Sequence, residues 1–100
     1  MTMKEIDYNE CARILKAIAH PTRLQIVALI QDNRPCVKGI EAHLGLTQPN
    51  ISQHLSILRN IGIVEPEREG NQVCYQLKNQ LIIKLLNVLK NEKGGQPDGK

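Results

Sequence analysis

Large aromatic side chains are almost missing from this chain of 100 residues, which has two tyrosines and neither phenylalanine nor tryptophan. Proteins that hold unpaired bases usually stack them on aromatic rings, so the composition argues against RNA or single-stranded DNA as a ligand. The core must then be aliphatic and small, and a core of this kind often gains from a partner subunit. We expect one small domain, and its composition favours a partner subunit.

Long apolar runs are also missing, so no segment approaches the length that spans a membrane. Charged residues at Lys4, Glu5 and Asp7 interrupt the N-terminus, and we expect neither a signal peptide nor a membrane partner. The expected location is cytoplasmic. Gly, Pro and polar residues dominate positions 94–100, which predicts a disordered tail after a single domain at 1–93.

Acidic residues are absent between Ala42 and Val64, a stretch that would not repel phosphates. Thr47 is a good helix N-cap and Pro49 suits a first helical turn, so a helix is predicted at 48–60. One face of this helix is apolar at helical spacing. The other face carries amides and hydroxyls, which suit the edges of base pairs in a major groove: Gln48, Asn50, Ser52, Gln53, His54 and Ser56.

The order of the predicted elements indicates a winged helix-turn-helix, a mainly α fold with five helices and a two-stranded β-hairpin wing. The last helix is apolar on more than one side, so we expect it to pack on its own domain and on another subunit. We predict helices at 4–18, 21–31 with His20 as cap, 37–44, 48–60 and 79–91, and wing strands at 63–68 and 72–77.

Three stretches with this order of elements resemble the ArsR/SmtB family of winged-helix repressors: LKAIAHPTRLQIVALI, VKGIEAHLGLTQPNISQHLSILRNIGIVE and EGNQVCYQL, at 15–30, 37–65 and 69–77. The resemblance implies a transcriptional repressor, not an enzyme, that forms a homodimer through its first and last helices. It further implies binding to an inverted-repeat operator in double-stranded DNA and release when an inducer arrives. No nucleophile–base motif, Gly-rich phosphate loop or metal-plus-base pair favours an enzyme.

The second helix of a helix-turn-helix lies in the major groove and contacts the bases, and we call it the reader helix. The positions that match the family's reader helix predict the DNA contacts. Gln48 and Gln53 are the first choices for base edges, and Thr47 and Ser52 better suit phosphates. Asn50 would serve partly as a helix-start residue, and His54 would either contact DNA or pack within the domain. Further candidates for phosphate contacts, each also readable as an ordinary solvated charge, are Arg23, Lys38, Arg59 and Arg68.

Cysteine is scarce, and the odd number of three fits reduced thiols better than a disulfide framework. Cys36 falls at the N-cap of the helix predicted at 37–44, where a thiolate would accept from backbone N–H groups. Arg34 and Lys38 flank it, and both charges favour the ionised thiol. We interpret Cys36 as a reactive thiol, against the alternative of a mediocre cap.

The family's metal sites guide the search for an inducer. Its site of Asp and His pairs on the last helix is absent from 79–91. Its Cys-Val-Cys site is incomplete here, because Lys38 follows Cys36-Val37. Cys11 and Cys36 together would bind As(III) or Cd(II), with Cys74 or an outside thiol completing the shell. Alternatively, they would respond to oxidants through a disulfide or persulfide bridge. Cys74 is assigned a small apolar role in the wing.

Two alternatives stay open at this point. The chain is either a regulator with no inducer at its cysteines, or a protein-interaction module that kept the scaffold and lost DNA binding. The acidic wing, in which Glu65, Glu67 and Glu69 surround Arg68, motivates the second. No resident cofactor is expected under any of these interpretations.

Overall fold

The fold is five helices and one antiparallel hairpin in the computed structural model, which describes residues 5–33 and 35–94. This confirms the predicted winged helix-turn-helix architecture. None of the helices in those residues is long and apolar enough to cross a lipid bilayer. The elements are α1 Tyr8–Ile18, α2 Pro21–Gln31, α3 Val37–Leu44, α4 Gln48–Ile61, β1 Val64–Glu69, β2 Gln72–Leu77 and α5 Gln80–Gly94.

The first helix begins later than predicted. Asp7 is its N-cap, with extended backbone, and its carboxylate accepts a hydrogen bond from the Glu10 backbone N–H at 3.1 Å. An acceptor at this position satisfies an N–H that the helix itself cannot pair, so the helix begins at Tyr8. The predicted cap of α2 is confirmed, since His20 Nδ1 accepts from the Thr22 N–H at 3.1 Å.

The turn between α3 and α4 follows from one glycine and one threonine. Gly45 ends α3 with a φ of 68°, a left-handed conformation that glycine adopts without strain. Thr47 then caps α4 as predicted, because its hydroxyl accepts from the Asn50 N–H. Ile51, Leu55 and Leu58 of α4 are buried. The inner face of α4 is therefore fixed in the core, and its polar side chains are presented on the opposite face.

The wing is a tight hairpin that begins one residue later than predicted. Strand β1 pairs with β2 from Val64 opposite Leu77 to Glu69 opposite Gln72, and Gly70 at the tip has a φ of 62°. The other edge of β2 pairs with the segment before α3. In that segment, Cys36 forms an isolated antiparallel bridge with Cys74.

The last helix is joined to the end of α2 by a hydrogen bond from Gln31 Nε2 to Asn87 Oδ1 at 3.2 Å, and part of its apolar surface is exposed. The Asn79 side chain accepts from the Ile82 N–H, so α5 begins at Gln80. Ile82 and Leu86 are buried, whereas Val88 is 56% exposed. Helix α5 extends to Gly94, a residue predicted to lie in the tail; positions 95–100, the rest of that tail, lie outside the described residues.

Candidate DNA interface and cysteine pair

The N-terminal half of α4 presents uncharged polar side chains to the surface. Gln48, Asn50 and Gln53 are exposed, and Ser52 is partly exposed. Gln48 Nε2 donates to Ser52 Oγ at 2.8 Å, one turn along the helix. This bond orients the Gln48 amide, whose oxygen stays available as an acceptor. The side chains predicted to read bases therefore share one accessible surface.

A cleft of about 390 Å³ separates this helix from the wing. Lys38 of α3 lines it, together with Gln48, Ser52, Asn71 and Tyr75. Its donors and its one lysine suit a DNA backbone that passes between helix and wing, although Glu41 also borders it. The structure thus brings Lys38 next to two of the predicted α4 contacts.

Two of the three arginines predicted to contact phosphate, Arg59 and Arg68, are exposed and are not among the residues that line this cleft. Arg59 is exposed in the last turn of α4, at the opposite end from Gln48. Arg68 is exposed near the wing tip between two exposed glutamates, and it pairs in register with Val73. The phosphate contacts of Arg59 and Arg68 stay predictions. Because the wing is acidic, the N-terminal half of α4 is the better site for an anionic partner.

Arg23 is turned into the domain. Its Nε donates to the carbonyl of Ala17 near the end of α1, and its Nη1 lies 3.3 Å from Nδ1 of His54 on α4. Two of the three guanidinium nitrogens are therefore engaged internally. A phosphate contact from Arg23, predicted from the sequence, would have to use Nη2 or the second N–H of Nη1, or break these bonds.

His54 packs within the domain, as one of its two predicted roles requires. Its ring is partly buried, and its centroid lies 4.9 Å from that of His20. Burial, followed by the charge interactions with His20 and Arg23, lowers the pKa of His54 below its ordinary value of 6.5. The ring is therefore neutral at neutral pH, which permits Nδ1 to accept from Arg23.

Cys36 and Cys74 are joined by a disulfide across 38 positions of sequence. Cys36 is the N-cap of α3, as predicted, but its side chain makes no capping hydrogen bond. The prediction that this sulfur accepts a hydrogen bond from a backbone N–H is wrong for the disulfide-bonded protein, in which the sulfur is bonded to Cys74. The apolar role assigned to Cys74 is also incomplete: the residue is only 1% exposed, yet it is the partner of the thiol. Arg34, predicted to favour the thiolate, lies outside the described residues.

Known proteins are similar to this chain in both sequence and fold. A family model described as "Bacterial regulatory protein, arsR family" matches residues 20–66. A biofilm growth-associated repressor of Xylella fastidiosa is 38% identical over 81 residues, which cover 81% of this chain and 71% of that protein. The chain belongs to the ArsR family. The transcriptional regulator CmtR of Mycobacterium tuberculosis is 41% identical over 86 residues, 85% of this chain and 72% of that one. A structure described as reduced HlyU from Vibrio cholerae superposes with a TM-score of 0.80 at 32% identity, covering 85% and 90% of the two chains.

Membership of the ArsR family confirms that the chain is a transcriptional regulator and not an enzyme, because these relatives are regulators. It also confirms the resemblance on which the predicted contacts depend. The contacts themselves stay predictions.

The metal ligands expected for this ArsR protein, Cys11 and Cys36, do not form a site within the described residues. Cys11 is a free, partly buried thiol on α1, whereas Cys36 is bonded to Cys74. Among the described residues, no group of three or more His, Cys, Asp or Glu side chains is placed to hold a metal ion. A thiophilic ion such as As(III) needs several thiolates at one point, so these residues do not fit a metal centre within one subunit.

Sequence reasoning missed the pairing of Cys74 with Cys36. In the sequence, Cys74 lies in a predicted strand and Cys36 precedes a predicted helix, and neither position indicates the other. Which strand edge receives that segment depends on tertiary packing, and it cannot be read from local periodicity.

Proposed function

We propose that this protein is a homodimeric repressor that binds double-stranded DNA sequence-specifically and leaves it in response to a thiol-directed signal. The uncharged polar face of α4 carries the proposal. Gln48, Asn50 and Gln53 can donate and accept at base edges, and the N-terminal residues of such a helix are those that enter the major groove. Lys38 and Ser52 would contact the adjacent backbone.

Exposed apolar side chains support the homodimer. Tyr8 and Leu15 on α1 and Leu81, Val88 and Leu89 on α5 are all substantially exposed, with Tyr8 at 76%. In a dimer formed through α1 and α5, as the family resemblance implies, these side chains would be buried against a second copy of the chain. Two reader helices related by a twofold axis would bind an inverted repeat.

The cysteine pair supports a redox signal. Hydrogen peroxide would oxidise the two thiols of Cys36 and Cys74 to one disulfide; it accepts two electrons and the two thiol protons and leaves as two waters. The bond ties the start of α3 to the wing strand β2. Since α3 supports α4, the bond would couple the reader helix to the wing, and we propose that the reduced dimer binds DNA and the oxidised dimer is released.

A test uses a duplex of about 30 base pairs, selected from a random pool by the reduced protein and long enough for two half-sites. We call it the selected duplex. Hydrogen peroxide should weaken binding of the wild type about fivefold or more, a typical coupling between two sites, and dithiothreitol should restore it. Cys36→Ser and Cys74→Ala should bind the duplex and ignore peroxide. Fluorescence anisotropy measures each affinity, and free-thiol counting measures each oxidation state.

Cys11→Ser is the matched control, because Cys11 is free and lies on another helix. It should respond to peroxide as the wild type does. A response lost in Cys11→Ser and kept in Cys74→Ala would replace the proposed pair by Cys11 with Cys36. Release by As(III) or Cd(II) under reducing conditions, with no release by peroxide or polysulfide, would contradict the redox signal. Equal behaviour of the wild type and Cys36→Ser under every treatment would remove Cys36 from the mechanism.

A further inference from the structure

A polar cluster joins the start of α2 to the middle of the reader helix α4. Arg23 bridges two elements, since its Nε donates to the Ala17 carbonyl of α1 and its Nη1 lies 3.3 Å from His54 Nδ1 of α4. The ring of His20, which caps α2, lies beside the ring of His54. Arg23 and His54 are both partly buried, so water competes less for their bond than at an exposed site.

The bond between Arg23 and His54 requires one protonation state. A guanidinium has donors and no acceptor, so His54 Nδ1 must carry a lone pair and Nε2 the proton. A protonated imidazole would point an N–H and a positive charge at the guanidinium. The bond would then open, and two like charges would face each other at the junction of α2 and α4.

We propose that Arg23 and His54 are positioning residues, which hold the reader helix in its DNA-binding orientation only while the His54 ring is neutral. The inference rests on the proposed function, because it concerns the same helix. Gln53 is the neighbour of His54 on α4 and is exposed. A shift of α4 that relieves repulsion at His54 therefore moves Gln53 away from its base contact, and acid weakens sequence-specific binding.

The surroundings of His54 support a neutral ring at physiological pH. Burial is the largest cause that lowers its pKa, followed by the charge interactions with His20 and then Arg23. On α1, the group that accepts a hydrogen bond from Arg23 is the Ala17 carbonyl, which is uncharged. No titratable group in the described parts of α3 and β1, which also pack on α4, contributes to the shift.

The sign of the pH effect follows from this direction. An unfolded chain takes up the His54 proton near the ordinary pKa of 6.5, whereas the folded chain resists it to lower pH. The contribution of this group to folding is therefore present above 6.5 and decreases as the pH falls from 6.5 to the lowered pKa. The Arg23–His54 bond opens around that lower pKa, and the proposed loss of DNA affinity occurs there.

The test measures affinity for the selected duplex from about pH 7.5 down to about pH 5, across the range in which histidine titrates. The wild type should weaken roughly fivefold or more beyond any general trend. His54→Asn keeps an acceptor near the Nδ1 position and cannot titrate, so it should lose this acid-dependent part and bind better than His54→Leu at neutral pH. Arg23→Lys should weaken specific binding at neutral pH, because a lysine cannot hold both acceptors in the same fork.

His43→Asn is the matched control, because His43 is an exposed histidine on α3. It should keep the wild-type pH profile. NMR of the imidazole nitrogens in the unmodified protein should place His54 protonation in the same pH window as the loss of affinity, a result that no variant's folding can confound. Wild-type binding with the pH profile of His54→Asn, or His54 protonation outside that window, would overturn this inference alone. Failure of the wild type to bind any duplex would overturn the proposed function first.

Discussion

Gln53→Ala is expected to weaken binding to the selected duplex by about 1–3 kcal/mol, roughly 5- to 150-fold. Gln53 is exposed on the N-terminal half of α4, and no hydrogen bond to another described side chain engages its amide. The variant removes a donor and an acceptor that would pair with one base edge. The loss should be largest for the preferred base at one position of each half-site, so sequence preference there should relax.

Asn60→Ala is the control for Gln53→Ala. Asn60 is exposed on the same helix but lies in its last turn, beyond the residues that enter a groove. Both proteins should have the same helix content and thermal stability. Anisotropy titrations on the selected duplex and on single-base variants of it make the comparison. If Gln53→Ala bound every duplex as the wild type does, the assignment of α4 as the reader would be wrong.

Leu55→Ala is expected to lower the free energy of unfolding by about 2–5 kcal/mol. Leu55 is 1% exposed and lies in the core on the inner face of α4. Truncation removes its apolar contacts and leaves a cavity that this small aliphatic core cannot close without moving α4. The loss is a large part of the stability of a domain of this size. Urea unfolding followed by circular dichroism measures it.

Ser56→Ala tests whether that cost comes from burial. Ser56 is the next residue on α4 and is exposed, so its replacement should change the free energy of unfolding by less than about 0.5 kcal/mol. Unfolding should be measured at the same protein concentration for both, because dimerisation would couple stability to concentration. A similar small effect for Leu55→Ala would show that α4 does not pack as described.

Local signals predicted most of the fold. Thr47, Gly45 and the apolar spacing of Ile51 and Leu55 are sufficient to predict a turn and a helix, because caps and periodicity act over a few residues. The start of α1 differed because one capping side chain, that of Asp7, decides its first turn. The start of β1 and the end of α5 also differed from the predicted bounds, by one and three residues.

The parts that local reasoning missed are contacts between distant positions. Cys36 meets Cys74 because the segment before α3 adds to the free edge of β2. From the sequence, Arg23 could be interpreted as an ordinary solvated charge. In the structure, α2 packs on α4 and the Arg23 guanidinium contacts His54, 31 positions away. Such pairings follow from how elements pack, and composition or spacing within one element carries no record of them.

The most direct test of the central claim, that α4 reads double-stranded DNA, is the affinity of the reduced wild type for the selected duplex across a series of salt concentrations. The same titration is made with a shuffled duplex of equal length and composition. We expect log affinity to fall linearly with log salt for both, since bound phosphates release counterions, and we expect the selected duplex to bind at least about a thousandfold more tightly. Equal affinity for the two duplexes, or none for either at low salt, would contradict the account.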